Sequence, residues 1–135
     1  MDKFNLEKDI EVCCITATSF PEGVMDAHEK AHSLFPVSNQ RRYFGISSPN
    51  PRGIIIYKAA VEKLENDQKE KTDYESFVIK KGDYISVVIK DYMKDIQKVE
   101  TTFQKLISRD DIDPNGYCLE WYLNDNDMRC MVRLK

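Results

Sequence analysis

Apolar positions recur with period two in several stretches and with period three to four in two others. From Ile10 to Phe20 the chain is rich in β-branched and small residues, and Pro21 and Gly23 close the run, which predicts a strand. Val24, Ala27, Ala31 and Leu34 are spaced as one face of a helix over 24–35, with Pro36 as its stop. Strands are expected at 42–47 and 54–61, on either side of the turn-rich Ser48-Pro49-Asn50-Pro51-Arg52-Gly53. The second part of the chain follows a similar plan. A strand, a Lys81-Gly82-Asp83 turn and a second strand fill 75–90. Met93, Ile96, Val99, Phe103 and Leu106 mark a helix over 93–107. Strands at 117–123 and 128–134 form a hairpin around Asn124-Asp125-Asn126-Asp127.

The order strand-helix-strand-strand therefore occurs twice, about 72 to 75 positions apart. The expected fold is α+β in a single domain spanning 1–135. A first repeat covers about 9–61, a charged and solvated connection covers 62–73 with Leu64 as its apolar anchor, and a second repeat covers about 74–135. Two such halves predict a pseudo-twofold axis, a concave antiparallel sheet and two helices on one face. A groove between repeated units is a common place for a ligand.

The pattern is interrupted most sharply at Leu119-Glu120-Trp121-Tyr122-Leu123, where a carboxylate stands inside an aromatic strand. Alternation puts Glu120 and Tyr122 on one face and Leu119, Trp121 and Leu123 on the other. A charged carboxylate there is costly unless it is paired, hydrogen-bonded or wet. It is either a solvent-facing residue or a group held for a partner.

Composition narrows the field of partners. The chain has 135 residues, 41% of them hydrophobic and 32% charged, with a net charge of -3. These values fit a globular domain, and no apolar run approaches the roughly 20 residues of a membrane span. The N-terminus has no signal-like apolar core, so the expectation is a cytoplasmic protein without a membrane partner. Lysines are mixed with acids rather than gathered in a stripe, so direct binding of nucleic acid is not expected. Cys13, Cys14, Cys118 and Cys130 form no C-x-x-C pair and read as small buried thiols.

His28-Glu29-Lys30-Ala31-His32 matches the zinc motif H-E-x-x-H. Lys30 inside the motif, the absence of a third histidine and a position away from the expected cleft argue against it. No metal and no cofactor are expected. The sequence holds no P-loop and no nucleophile elbow.

Three segments together resemble the GyrI-like family, the effector-binding domains of bacterial transcription activators. Ile79-Lys80-Lys81-Gly82-Asp83-Tyr84 resembles the family's I-P-A-G-x-Y strand and turn, with lysines at the proline and alanine positions. Glu120-Trp121-Tyr122 with Leu123-Asn124-Asp125 resembles its E-x-Y strand and following turn. Phe44-Gly45-Ile46-Ser47 and Tyr57-Lys58-Ala59-Ala60-Val61 resemble its first paired strands. The resemblance implies a stand-alone binding domain with a concave sheet, helices behind it and a lipophilic, often cationic, ligand in a central cleft.

By position, Glu120 takes the role of the anionic contact and Tyr122 stands beside it. Tyr57, Tyr84 and Phe44 are wall candidates, along with Tyr43 and Trp121. If Glu120 and Tyr122 line the cleft, Trp121 is expected under the helices. Two alternatives stay open. One is a hydrolase of small reactive compounds using Glu120 and Tyr122. The other is a protein-interaction module, such as a gyrase modulator, with a protein partner. Oligomeric state, ligand and pathway are not set by the sequence.

Overall fold

The computed structural model describes residues 1–35, 38, 40–65, 67 and 74–135. Eight strands alternate with two helices: β1 (Asp2–Leu6), β2 (Ile10–Thr16), α1 (Val24–Leu34), β3 (Tyr43–Pro49), β4 (Ile55–Glu62), β5 (Glu75–Ile79), β6 (Gly82–Ile89), α2 (Ile96–Ile107), β7 (Cys118–Tyr122) and β8 (Met128–Arg133). A short 3₁₀ turn, Tyr92–Lys94, leads into α2. The fold is α+β, with one curled antiparallel sheet of eight strands and two helices.

The strands lie in the order β1-β6-β8-β7-β3-β4-β2-β5. β1 was not expected from the pattern, because Phe4 and Leu6 alternate among polar residues. It pairs with β6, Phe4 opposite Tyr84, whereas β5 pairs with β2, Ile10 opposite Ile79. Each early strand of one half thus edges the other half, so the two ends of the sheet are tied through crossed connections.

One face of the sheet carries neither of the two described helices, yet it has a core of its own. Leu6, Ile10, Val12, Cys14, Phe44, Ile46, Ala60, Ile79, Tyr84, Leu119 and Met131 form a single buried cluster. All eight strands contribute to it, which a flat sheet could not achieve. The strands curl round these side chains, the more readily because twisted sheets of this size coil.

The other face holds the helices. Ala27 and Ala31 of α1 pack with Cys13, Tyr57, Ala59 and Val61, and the small alanines let the helix approach closely. Val99 and Leu106 of α2 pack with Ile85, Ile89, Met128, Cys130 and Val132. α1 lies over β2 and β4, and α2 over β6 and β8, so the central pair β3 and β7 falls between them.

The helix stop expected at Pro36 and most of the charged connection lie outside the described residues. The part of the connection that is described departs from a solvated strap. Asp67 folds back and accepts two hydrogen bonds from the Arg41 guanidinium, at 2.8 and 2.9 Å. Their side chains are only 9% and 3% exposed.

Candidate functional site

The site grows out of strand register. In β7, Glu120 lies opposite Gly45 of β3 on one side and Cys130 of β8 on the other. Both neighbours are small, so the carboxylate has room to turn along the sheet. Glu120 and Tyr122 project toward the helices, as does Tyr57 from β4. All three converge in the gap between α1 and α2.

The Tyr57 hydroxyl donates to Glu120 Oε1 at 2.8 Å, and the Tyr122 hydroxyl donates to the same oxygen at 2.7 Å. The two hydroxyl oxygens are 3.1 Å apart. His28 Nε2, reaching down from α1, lies 2.7 Å from the Tyr57 hydroxyl and 3.3 Å from that of Tyr122. Each tyrosine has one proton and gives it to the carboxylate. The nitrogen of His28 must then be the donor, which assigns its neutral ring the Nε2–H tautomer. Among the described residues no donor reaches Glu120 Oε2. Among the described residues, the carboxylate thus has one oxygen held by two hydroxyls and the other without a donor.

Electrostatics follow from the packing. Glu120 keeps a partly open edge, but protein atoms crowd it enough that desolvation raises its pKa against the two hydroxyl donors. Burial, and next the nearby His32, lower His28 to about 4, so it is neutral near pH 7. Burial and then the charge of Glu120 raise the pKa of Tyr57 and of Tyr122, which keeps both hydroxyls protonated. The same two causes push the Cys130 thiol up to about 12 and Cys118 to about 11.

Aromatic rings border the cluster. Phe20, 45% exposed, stacks on Tyr57 with centroids 5.7 Å apart. Tyr92 lies 5.8 Å from Tyr122 on the α2 side. His28 meets the rings of Tyr57 and Tyr122 at 5.7 and 5.3 Å.

Gly45 is what makes this packing possible. A Cβ at that position would overlap the Tyr57 hydroxyl and Glu120 Oε1. A glycine within an apolar strand is a sign of such close approach. It was the available signal for Tyr57, which is 63 positions from Glu120 in the chain.

The structure brings Glu120, Tyr122 and Tyr57 together and places the other two candidates elsewhere. Phe44 and Tyr84 are fully buried in the core of the helix-free face. Tyr84 donates to Lys80 O at 2.6 Å and meets the Tyr117 hydroxyl at 2.9 Å. Trp121 also lies on that face, between Phe4 and Phe44, and not under the helices. The strand alternation was right, but the helices cover the Glu120 side. His28 is the residue that sequence reasoning missed. Its motif was set apart from the cleft, whereas the register of α1 against β4 directs it onto Tyr57.

The zinc pattern itself finds no further ligand. Its two rings are 6.1 Å apart, and His32 turns instead to Tyr43, 5.0 Å away. Among the described residues no group of three or more histidines, cysteines and carboxylates could hold a metal ion. No helix among them is long and apolar enough to cross a membrane.

No protein-family model matches the chain, and no curated protein matches it. Solved structures do. An integron cassette protein from the mobile metagenome of Vibrio cholerae is similar with a TM-score of 0.71 at 11% identity, covering 99% of this chain and 95% of its own. A hydrolase from Listeria innocua is similar with a TM-score of 0.61 at 7% identity, covering 99% and 90%. An uncharacterized conserved protein from Listeria innocua has a TM-score of 0.63 at 7% identity, covering 99% and 91%. What the chain shares with these structures is the fold, a curled antiparallel sheet.

Proposed function

We propose that this protein is a small-molecule-binding domain, and that its ligand enters between α1 and α2 to reach Glu120. The observation that carries the reading is the Glu120–Tyr57–Tyr122–His28 cluster. It is a desolvated carboxylate with one oxygen held by two hydroxyls and the other free, bordered by Phe20 and Tyr92. An apolar cation suits it best. Such a ligand restores the charge balance that desolvation disturbs, and each ring adds about 0.5–2 kcal/mol of cation-π attraction.

The reading includes the resemblance to the GyrI-like effector-binding domains. The strand order is the same when read from either end with the two halves exchanged, which supports a pseudo-twofold relation between them. The cleft would then lie at that axis, where β3 meets β7. The transcription-regulating role of such domains has no support in this chain and is not part of the proposal.

The test is a titration with rhodamine 6G, a lipophilic cationic dye, followed by fluorescence anisotropy, on the wild type and on Glu120→Gln. Saturable binding that Glu120→Gln weakens at least tenfold, or about 1.4 kcal/mol, is the expected result. Equal affinity in both proteins would remove Glu120 from the site.

A second reading, a hydrolase, is favoured by one observation. The carboxylate has a raised pKa and one free oxygen, which suits it to hold a water and take its proton as general base. Two of the similar solved structures are of hydrolases from Listeria innocua. Turnover that survives Glu120→Gln would exclude this reading.

A further inference from the structure

The curled sheet leaves a cavity of about 560 Å³ on its helix-free face, separated by the sheet itself from Glu120. Such a volume falls within the roughly 300–1,000 Å³ of small-molecule sites. We propose that this cavity is a second binding site, and that it takes an amphipathic anion such as a fatty or aromatic carboxylate. The proposal goes beyond the Glu120 cleft and does not depend on it.

Two features of the lining carry the inference. The first is shape and polarity. Ile56 and Val78 give aliphatic surface, and Phe77 and Tyr117 stand edge to face with centroids 5.3 Å apart. The Tyr117 hydroxyl offers no proton to a ligand. Tyr84 donates to the Lys80 carbonyl, so its oxygen must accept from Tyr117, and Tyr117 in turn accepts from the Lys80 N–H at 3.0 Å. This closed circuit presents the ring of Tyr117 to the cavity and pins the backbone of Lys80.

The second feature is the sign of the charge. Among the described residues the lining includes Lys58 and Lys80 and no carboxylate. Lys58 Nζ lies 5.8 Å over the Phe77 ring and pairs with Glu75, which is outside the lining, at 2.9 Å. The Lys80 ammonium has no ion pair among the described residues, although its main chain is fixed on both sides. A free cation on a fixed backbone beside an apolar, aromatic hollow matches a ligand with an anionic head and an apolar body. It is the reverse of the Glu120 site, which favours a cation.

The test uses 1-anilinonaphthalene-8-sulfonate on the full chain, with Lys80→Glu and Glu120→Gln beside the wild type. Lys80 is exposed, and its ammonium has no ion pair among the described residues. The expected result is one probe per chain and displacement by octanoate but not by octylammonium. Lys80→Glu should weaken affinity about tenfold, an attraction turned to repulsion at the rim, and Glu120→Gln should leave it unchanged. Affinity unmoved by Lys80→Glu, loss of binding in Glu120→Gln, or uptake that does not saturate would each overturn the proposal. The Glu120 reading is scored with a cationic probe, so either site can fail without the other.

Discussion

Replacing Gly45 with alanine tests the geometry of the Glu120 cluster with one methyl group. Gly45 is buried in β3 with an ordinary extended backbone, so alanine meets no conformational penalty there. On chain entropy alone the change should stabilise by about 0.4–1 kcal/mol. The structure predicts the opposite. The new Cβ would overlap the Tyr57 hydroxyl and Glu120 Oε1. Tyr57 has nowhere to go, being 2% exposed, stacked by Phe20 and held at its hydroxyl by both His28 and Glu120.

Forcing a methyl into a packed core costs about 1–3 kcal/mol. Breaking a hydrogen bond to a charged group costs about 1.5–3 kcal/mol more. After the entropic gain, a net loss of about 1.5–5.5 kcal/mol is expected. Urea unfolding followed by the fluorescence of Trp121, the only tryptophan, reads it out from the opposite face of the sheet. The mechanism is tested by repeating the change in a Tyr57→Phe background, where the obstructing hydroxyl is gone. There the cost should fall by at least about 1 kcal/mol, a coupling of the size seen for residues in contact. A neutral or stabilising Gly45→Ala, or an equal cost in both backgrounds, would refute the reasoning.

Two further predictions concern titration and ion pairing. His28 has its pKa lowered to about 4 from an ordinary 6.5, so the unfolded chain takes up the proton first as pH falls. Its contribution to stability is full above 6.5, declines toward pH 4 and reaches at most about 3 kcal/mol. Glu120, with its raised pKa, acts in the opposite sense and loses stability as pH rises. The difference between wild type and His28→Gln, measured by urea unfolding across pH 4 to 7, should therefore narrow as pH falls. A constant difference would contradict the buried, neutral His28. Asp67→Asn should cost about 3 kcal/mol by leaving the Arg41 guanidinium buried without its counter-charge. The wild-type pair, whose Asp67 pKa is held low first by the Arg41 hydrogen bond, should weaken only below the usual carboxylate range. A loss under about 1 kcal/mol in the unfolding free energy from urea denaturation would show that the pair is exposed in solution.

The elements were largely legible because each carries its period in neighbouring residues. Alternation alone placed Glu120 with Tyr122 and Trp121 opposite them. It could not say which face the helices cover, since each face of β7 carries an aromatic residue, Tyr122 on one and Trp121 on the other. That choice rests on where Ala27, Ala31, Val99 and Leu106 dock, which is tertiary information. β1 stayed hidden because Phe4 and Leu6 lie among charged residues, and the exchange of β1 and β5 between the halves leaves no local trace.

The site was legible only in part for the same reason. Glu120 announced itself by its cost in an aromatic strand. Tyr57 comes from β4 and reaches it through the β3–β4 and β3–β7 registers, and His28 reaches it from α1 through the docking of that helix on β4. His28 was further masked by a motif that suggested a different chemistry. Gly45, small and opposite the carboxylate, was the overlooked local clue.

The central claim is that a ligand binds between the two helices on the carboxylate of Glu120. Its most direct test is an amide NMR titration of the ¹⁵N-labelled protein with tetraphenylphosphonium, an apolar cation. The account predicts saturable shift changes at Gly45, His28, Glu120 and Tyr122 that vanish in Glu120→Gln, with Ile79 and Tyr84 on the opposite face unmoved. Shifts confined to the helix-free face, or identical shifts in Glu120→Gln, would contradict it.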